Sequence, residues 1–293
     1  MSLRDFLILI AICLAWAANN IVSKLVVSSW HVPPLMYGAL RFGIVFLATL
    51  PWLLPMPRPR WRIVLVGLLM GGGTFALLFI GFKTVTPSEA AVVSQAGVPI
   101  TTLLSIVMLG ERVHWRRALG IALTLAGVLV VVWEPGFAIS TGMIFVLSAA
   151  LCGSLGAVMM KQMDEIAPLR LQAWVGITGF AVLTPITLLL DRPDWHFVTE
   201  AGWPFLAALL YSALVVSVLA HTAYYVLIQR YEANLLAPLT LITPLATIAL
   251  GIAITGDHLD PKMIVGTGIA LLGVLIVALR RTGAPIPQTQ ERS

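Results

Sequence analysis

The chain has 293 residues, of which 59% are hydrophobic and 11% are charged. Because about a quarter of the residues in soluble domains are charged, this composition excludes an ordinary soluble protein. The net charge of +5 does not indicate nucleic-acid binding, because the basic residues are sorted between loops as membrane proteins sort them. Cys13 and Cys152 lie in apolar runs and indicate neither a disulfide framework nor a metal site.

Ten apolar runs follow one another along the chain, the fifth and tenth being the shortest. A helix needs about 20 apolar residues to cross the hydrocarbon core of a bilayer. The first run also resembles a signal peptide, but its apolar stretch is too long for one. The runs cover about residues 6–27, 34–54, 62–82, 89–109, 116–133, 141–160, 170–190, 203–228, 234–255 and 263–280. The sequence therefore predicts an all-α integral membrane protein with ten transmembrane helices.

Lysine and arginine are distributed unevenly between alternate loops. With the N-terminus placed in the cytoplasm, 13 of them fall on the cytoplasmic side and three on the outer side, while Lys24 and Arg41 lie within spans. Cytoplasmic loops ordinarily carry such an excess, so both termini are predicted to be cytoplasmic. The polar tail, residues 282–293, is predicted to be disordered.

The two halves of the chain resemble each other. ALTLAGVLVV at Ala122–Val131 matches GIALLGVLIV at Gly268–Val277, 146 residues later, and the same offset places GE at 110–111 over GD at 256–257. The sequence therefore predicts two five-helix repeats, residues 1–137 and 138–281. Because five is odd, the second repeat is inverted relative to the first, as in many secondary transporters, whose substrate sites lie where the repeats meet.

Three segments carry a resemblance to a known family. PPLMYGALRF at 33–42, GERVHWRRALGIAL at 110–123 and QRYEANLLAPLTLITPLATIALG at 229–251 resemble the EamA-type transporters of the drug/metabolite transporter superfamily, most closely the bacterial O-acetylserine/cysteine exporters. The likeness covers the chain to about Arg281. The resemblance implies ten helices around a central cavity, in the inner membrane of a bacterial-type cell. It also implies that the protein exports small metabolites or amino acids. The aspartate at 257 departs from the family's glutamate, so the loop contact that it makes is expected to differ.

Polar side chains in the first span are the first candidates for a binding site, because such groups are costly in lipid and normally face protein or water. Trp16, Asn20 and Lys24 are spaced by four residues and share one helix face, with Asn19 beside them. We expect Trp16, Asn19 and Asn20 to line the cavity. The alternative is that the asparagines hydrogen-bond to neighbouring helices.

Two cations inside spans, Lys24 and Arg41, are the strongest electrostatic signal. Arg41 is predicted to attract a carboxylate of the substrate, and Lys24 is the weaker candidate for the same role. Alternatively, both side chains extend to the membrane interface, or one of them pairs with Glu89.

The fourth and eighth spans supply further candidates. His221, Tyr225 and Gln229 form one helical stripe with Tyr224 beside it, and Gln95 is a polar residue of the fourth span. His221 is predicted to bind substrate or to take a proton in an antiport cycle, because an imidazole titrates near neutral pH. The alternative is a neutral histidine bonded to another helix.

Pro99 and Pro244 occupy similar places in the two repeats and are predicted hinge or kink sites, because proline frees a backbone carbonyl. The function predicted is secondary export of small metabolites, with amino acids or their derivatives as the leading cargo class and a broad-specificity drug or aromatic-compound exporter as the alternative. Enzyme motifs such as H-E-x-x-H and a Walker A sequence are absent, so no enzyme activity, metal, cofactor or nucleic-acid partner is expected. Proton coupling and a monomeric or homodimeric state are both compatible with the sequence.

Overall fold

The computed structural model describes residues 1–110, 115–132, 140–163, 166–190, 196–231, 236 and 239–278. These residues contain helices and no strand. The predicted tail at 282–293, Glu111 of the Gly-Glu motif and the side chain of Gln229 lie outside the described part. We number the helical segments α1 Leu3–Ser29, α2 Pro34–Trp52, α3 Arg60–Gly81, α4 Pro87–Leu109, α5 Trp115–Val132, α6 Thr141–Lys161, α7 Pro168–Leu190, α8 Glu200–Leu227, α9 Ile242–Thr255 and α10 Pro261–Ala278.

Within the described residues, seven helices are long and apolar enough to cross a membrane, whereas α5, α9 and α10 are shorter apolar helices. The ninth predicted span was expected to begin near residue 234; residues 232–235, 237 and 238 lie outside the described part, and the described helix α9 starts at Ile242. Many large apolar side chains point outward, and Val107 and Leu189 are 83% and 74% exposed. Since an apolar outer surface is what a lipid environment requires, the all-α membrane fold is confirmed, while crossing by the three shorter helices stays a prediction.

Helix ends are set by caps. Thr86 and Glu89 form a capping box at the start of α4, in which each side chain satisfies a backbone N–H that the helix leaves free. Gly110 and Gly256 end α4 and α9 with φ of 67° and 69°. Because glycine adopts this left-handed conformation without a Cβ clash, two helices of different repeats end in the same way at positions that the sequence comparison aligned.

Contacts between helices occur in matched pairs. The helix α1 packs on α9 as α6 packs on α4, α3 packs on α7 as α8 packs on α2, and α3 packs on α6 as α8 packs on α1. Two further contacts, α2 with α7 and α5 with α10, each join a helix of the first repeat to its own counterpart in the second. This pattern is the one that a two-fold relation between two five-helix units produces.

Glycines bring α5 and α10 into direct backbone contact. A Cβ added to Gly127 would lie 2.3 Å from the backbone nitrogen of Ala270, and one added to Gly273 would lie 2.4 Å from that of Thr124. Only a residue without a side chain fits at such a distance, so small residues allow these helices to approach closely. The repeated glycines of α5 and α10 therefore serve close helix packing.

Wider π-type turns interrupt α3 and α8 and form the last turns of α1 and α9. The longest covers Tyr211–Ala220, in the middle of α8. Such turns are often found at functional sites, and they change the register of the side chains that follow. Here the turn lets the Ser217 hydroxyl donate to the Ser212 carbonyl oxygen, five residues earlier, at 3.1 Å.

Candidate functional site

Arg41 lies in the middle of α2, and its side chain is fully buried. Its Nε and Nη2 atoms donate to the Ser217 hydroxyl of α8 at 3.0 and 2.9 Å. Its Cζ atom lies 4.4 Å from the centre of the Phe75 ring of α3, within the range of a cation–π interaction. The guanidinium therefore contacts helices of both repeats.

The charge of Arg41 has no counter-ion among the described residues, and its Nη1 atom has no hydrogen-bond partner. The five described carboxylates lie elsewhere. Asp5 accepts from Tyr231 at 2.6 Å, Glu89 caps its own helix, and Asp257 accepts from the start of α4. Asp260 accepts from the Met263 backbone N–H at 2.6 Å, and Glu200 is exposed. A buried cation without a counter-ion is unfavourable. A negatively charged ligand would neutralise this cation and accept a hydrogen bond from Nη1.

A chain of hydrogen bonds holds the residues behind Arg41. The Ser217 hydroxyl donates to the backbone carbonyl of Ser212. The Ser212 hydroxyl in turn donates to Oδ1 of Asn19 at 2.7 Å. The Tyr37 hydroxyl also bonds to the Ser212 hydroxyl. Asn19 is 6% exposed and joins α1 to α8, so it makes the helix–helix hydrogen bond that was the alternative to cavity lining.

Aromatic rings form the other side of the site. The ring centre of Trp16 lies 5.3 Å from that of His221 and 4.9 Å from that of Tyr224, and Phe75 lies 6.4 Å from His221. These four side chains are only partly buried, and the indole N–H of Trp16 has no partner. We call the group the Arg41 site, and it comprises Trp16, Asn19, Arg41, Phe75, Ser212, Ser217, His221 and Tyr224.

The tautomer of His221 follows from its neighbour. Its Nδ1 atom lies 2.7 Å from the Val216 carbonyl oxygen, which only accepts hydrogen bonds. Nδ1 therefore carries a hydrogen, and Nε2 is the ring atom that is available to a ligand or a proton.

Three of the other predicted site residues lie at or beyond the edge of the Arg41 site. The Tyr225 ring is 6.5 Å from that of Tyr224 and packs on a core of α2, α3 and α7 residues. Asn20 donates to the Thr247 hydroxyl of α9 at 3.3 Å. Gln95 donates to a carbonyl of its own helix at 3.3 Å, and the structure describes no contact between it and the Arg41 site. Their roles in binding stay predictions.

Pro99 and Pro244 are each the third residue of a helical stretch that follows an irregular turn. The first backbone N–H groups of a helix have no partner within it, so proline loses no hydrogen bond there. The two prolines thus lie at matched places, Pro99 after the irregular turn within α4 and Pro244 near the described start of α9. Motion about these places stays a prediction.

The Lys24 side chain makes hydrogen bonds that the sequence did not indicate. Its ammonium donates to the carbonyl oxygens of Phe82 and Val85 at 2.8 and 2.9 Å, at the C-terminal end of α3. A cation is favourable there because helix carbonyls without partners point outward. Lys161, its counterpart in the second repeat, is exposed. The bonds of Lys24 therefore hold α1 to the end of α3 at one end of the bundle. Among the described residues, Lys161 makes no matching bond at the other end.

The sequence did not indicate Phe75, Ser212 and Ser217 as site residues. The serines carried the signal of a polar group within a span, but the π-type turn that directs them is not visible in a 3.6-residue periodicity. Phe75 carries no signal that separates it from other apolar residues. Within the described residues, no three histidine, cysteine or acidic side chains group as metal ligands do.

Comparisons with known proteins identify relatives along the whole chain. A probable amino-acid metabolite efflux pump of Salmonella typhimurium is 28% identical, covering 94% of this chain and 95% of that protein. A protein of Escherichia coli with the same description is 27% identical, over 94% and 93%, and the uncharacterized inner membrane transporter YedA of Escherichia coli is 26% identical, over 92% and 89%.

A protein of known crystal structure has the same fold. It aligns with a TM-score of 0.64 and 19% identity, over 94% of this chain and 96% of its own. The sequence profile of the EamA-like transporter family matches twice, at residues 4–133 and 140–279. With the apolar helices, these matches show a multi-pass membrane protein that transports small molecules, and the chain belongs to the EamA-like transporter family.

Proposed function

We propose that the protein is a secondary transporter that exports small metabolites, most plausibly amino acids or their derivatives, and that its cargo binds at the Arg41 site. The observation that carries this proposal is the fully buried guanidinium of Arg41, whose Nη1 has no partner, at the junction of α2, α3 and α8. Two relatives described as amino-acid metabolite efflux pumps support the cargo class.

The chemistry of the Arg41 site suits a carboxylate. Guanidinium groups bind carboxylates through two parallel N–H donors, and Arg41 has a donor to spare. Because Arg41 is fully buried while the Phe75 ring beside it is partly accessible, cargo reaches the guanidinium after Phe75 turns away. The rings of Trp16 and Tyr224 then cover the rest of the cargo.

Alternating access between two repeats, taken as residues 1–137 and 138–281, explains the difference between the two ends of the bundle. The bonds from Lys24 to α3 fasten one end, while Lys161 is exposed at the other. In the predicted orientation, with both termini cytoplasmic, the fastened end is the outer one. Opening of that end requires Lys24 to release α3, and by symmetry Lys161 then bonds to the C-terminal end of α8.

A second candidate function is broad export of drug-like or aromatic compounds. The observation that favours it is a group of partly buried rings, those of Trp16, Phe75, His221 and Tyr224. Ring faces can pack against many apolar compounds without requiring particular polar groups in them. In this function, Arg41 contributes less to binding than the rings do.

Counterflow in proteoliposomes tests the proposal. Purified protein is reconstituted with an unlabelled compound inside, and entry of the labelled compound is followed for a panel of amino acids, acylated amino acids, nucleosides and cationic dyes. We expect saturable exchange of carboxylates. Exchange of cationic dyes alone would favour the second function, and no saturable exchange of any carboxylate would contradict the proposal.

A further inference from the structure

We propose that the Arg41 site selects cargo that binds as an anion, namely carboxylates whose amino group is acylated or absent, over zwitterionic amino acids. This inference rests on the proposed function and names its substrate class.

The chain has 13 acidic residues, and all are far from the middle of the helices. In sequence, ten lie between the described helices or after the last of them. The other three occupy helix starts, Asp5 and Glu89 as the third residues of α1 and α4 and Glu200 as the first residue of α8. The interior of the helices therefore holds the cations Lys24 and Arg41 and no fixed negative charge.

Lys24 and Arg41 differ in how their charge is met. The ammonium of Lys24 has two carbonyl acceptors at the end of α3. Arg41 has one hydroxyl acceptor, shared by two of its nitrogens, and a free Nη1. The uncompensated positive charge thus belongs to Arg41, and an anionic ligand cancels it.

The polar atoms without partners point to the same chemistry. Nη1 of Arg41 and the indole N–H of Trp16 are both buried without a partner, and each is a donor that does not accept. A carboxylate and a carbonyl supply the acceptors that these atoms lack. An ammonium group supplies further donors instead.

A zwitterion is poorly matched to this site. Its carboxylate neutralises Arg41, but its ammonium then lies near the guanidinium with no carboxylate of the helix interior to pair with. Nε2 of His221 is a neutral acceptor that can bond to an ammonium without cancelling its charge, and a buried unpaired charge is costly. Acylation replaces the ammonium by an amide, which is neutral and carries a carbonyl acceptor for the Trp16 N–H.

The test is counterflow with compounds that share a side chain and differ in which charged groups they carry. One series is 3-phenylpropanoate, N-acetyl-L-phenylalanine, L-phenylalanine and phenethylamine, and a second replaces the benzyl side chain with methyl (propanoate, N-acetyl-L-alanine, L-alanine and ethylamine). We expect the anions in at least one series to exchange with a half-saturation concentration lower than that of the zwitterion by about tenfold or more, because like charges brought together at a binding site are strongly unfavourable. The amines are expected not to exchange.

Two variants assign the preference to Arg41. Arg41→Gln is expected to lose exchange of the anions, whereas Arg116→Gln, which removes an exposed arginine at the start of α5, is expected to keep the wild-type preference. Equal loss in both variants would assign the preference to overall charge and overturn the inference.

The remaining outcomes separate the inference from the proposed function. Exchange of the zwitterion at a lower half-saturation concentration than its acylated form would overturn the selection for anions and leave the transporter proposal standing. Exchange of none of the carboxylates in either series would overturn both. Because the preference is measured on the wild-type protein, the test does not depend on whether Arg41→Gln folds.

Discussion

Asp257, which follows the end of α9, caps α4 through Ser88. Its Oδ2 accepts hydrogen bonds from the Ser88 backbone N–H at 3.0 Å and from the Ser88 hydroxyl, while the Thr255 hydroxyl donates to Oδ1 at 2.6 Å. A carboxylate at a helix N-terminus satisfies a free N–H group and interacts favourably with the helix dipole. The shorter acid that departs from the family pattern therefore joins the second repeat to the first.

Replacement of Asp257 by alanine is expected to lower the stability of the protein by about 2–3 kcal/mol, because hydrogen bonds to a charged group are lost and the Ser88 N–H is left buried without a partner. Unfolding in detergent, followed by tryptophan fluorescence, measures the change. Glu200→Ala is the matched control, since Glu200 is an exposed acid and its removal is expected to change little. Equal effects of the two substitutions would contradict the assignment.

Lys24→Met is expected to loosen the end of the bundle where Lys24 bonds to α3. The reporter is Ser23→Cys, at a fully buried position, in a protein with Cys13 and Cys152 replaced by alanine. Since a hydrogen bond from a charged group contributes about 1.5–3 kcal/mol, alkylation of the reporter should become about tenfold faster or more. Lys83→Met, which removes an exposed lysine at the same end of the bundle, is the control and should leave the rate unchanged. A similar rate in all three proteins would exclude Lys24 as a fastening of that end.

Close packing of α5 on α10 predicts opposite results for two glycines of the same helix. Gly273→Ala places a methyl group 2.4 Å from the backbone nitrogen of Thr124, whereas nothing lies within 4 Å of a Cβ added to Gly268. We expect Gly273→Ala to lower stability by about 1–3 kcal/mol, as overpacking does, and Gly268→Ala to be neutral. Measured unfolding midpoints that fall equally for both would show that the helices do not approach each other as described.

A proton-coupled cycle through His221 makes a separate prediction. His221→Phe keeps a ring beside Trp16 and Phe75 and removes both nitrogens, of which Nδ1 now donates to the Val216 carbonyl oxygen. In such a cycle, exchange of cargo by the variant continues, but acceleration of net export by an imposed pH gradient is lost. A variant that responds to the gradient as the wild type does would exclude His221 as the proton carrier.

Most of the fold could be predicted from the sequence, because lipid imposes strong constraints on it. A span must be apolar and about 20 residues long, and this property is visible in the composition of each segment. The matched glycines at 120, 127, 266 and 273 were also visible, because the duplication preserved their spacing.

The site could be predicted only in part. Trp16, Arg41, His221 and Tyr224 stood out as polar or amphipathic side chains in apolar surroundings, and the structure brings them together. Which partners they choose depends on packing between distant helices. A sequence pattern does not show that Asn19 bonds to α8 while Asn20 bonds to α9.

Arg41→Met separates a structural role from a binding role. A guanidinium that serves the fold has its charge met by the protein, so its loss is destabilising. Arg41 is buried without a counter-ion among the described residues, and replacement of such a charge by an apolar side chain of similar size is often neutral or stabilising. We therefore expect the unfolding midpoint of Arg41→Met to equal or exceed that of the wild type.

The most direct test of the account is counterflow of a carboxylate cargo by Arg41→Met, at equal amounts of folded, reconstituted protein. The account predicts that saturable exchange falls by about 100-fold or more, since loss of a charged hydrogen-bonded contact costs a binding site several kcal/mol. Exchange at the wild-type rate with an unchanged half-saturation concentration would contradict the claim that Arg41 receives the cargo.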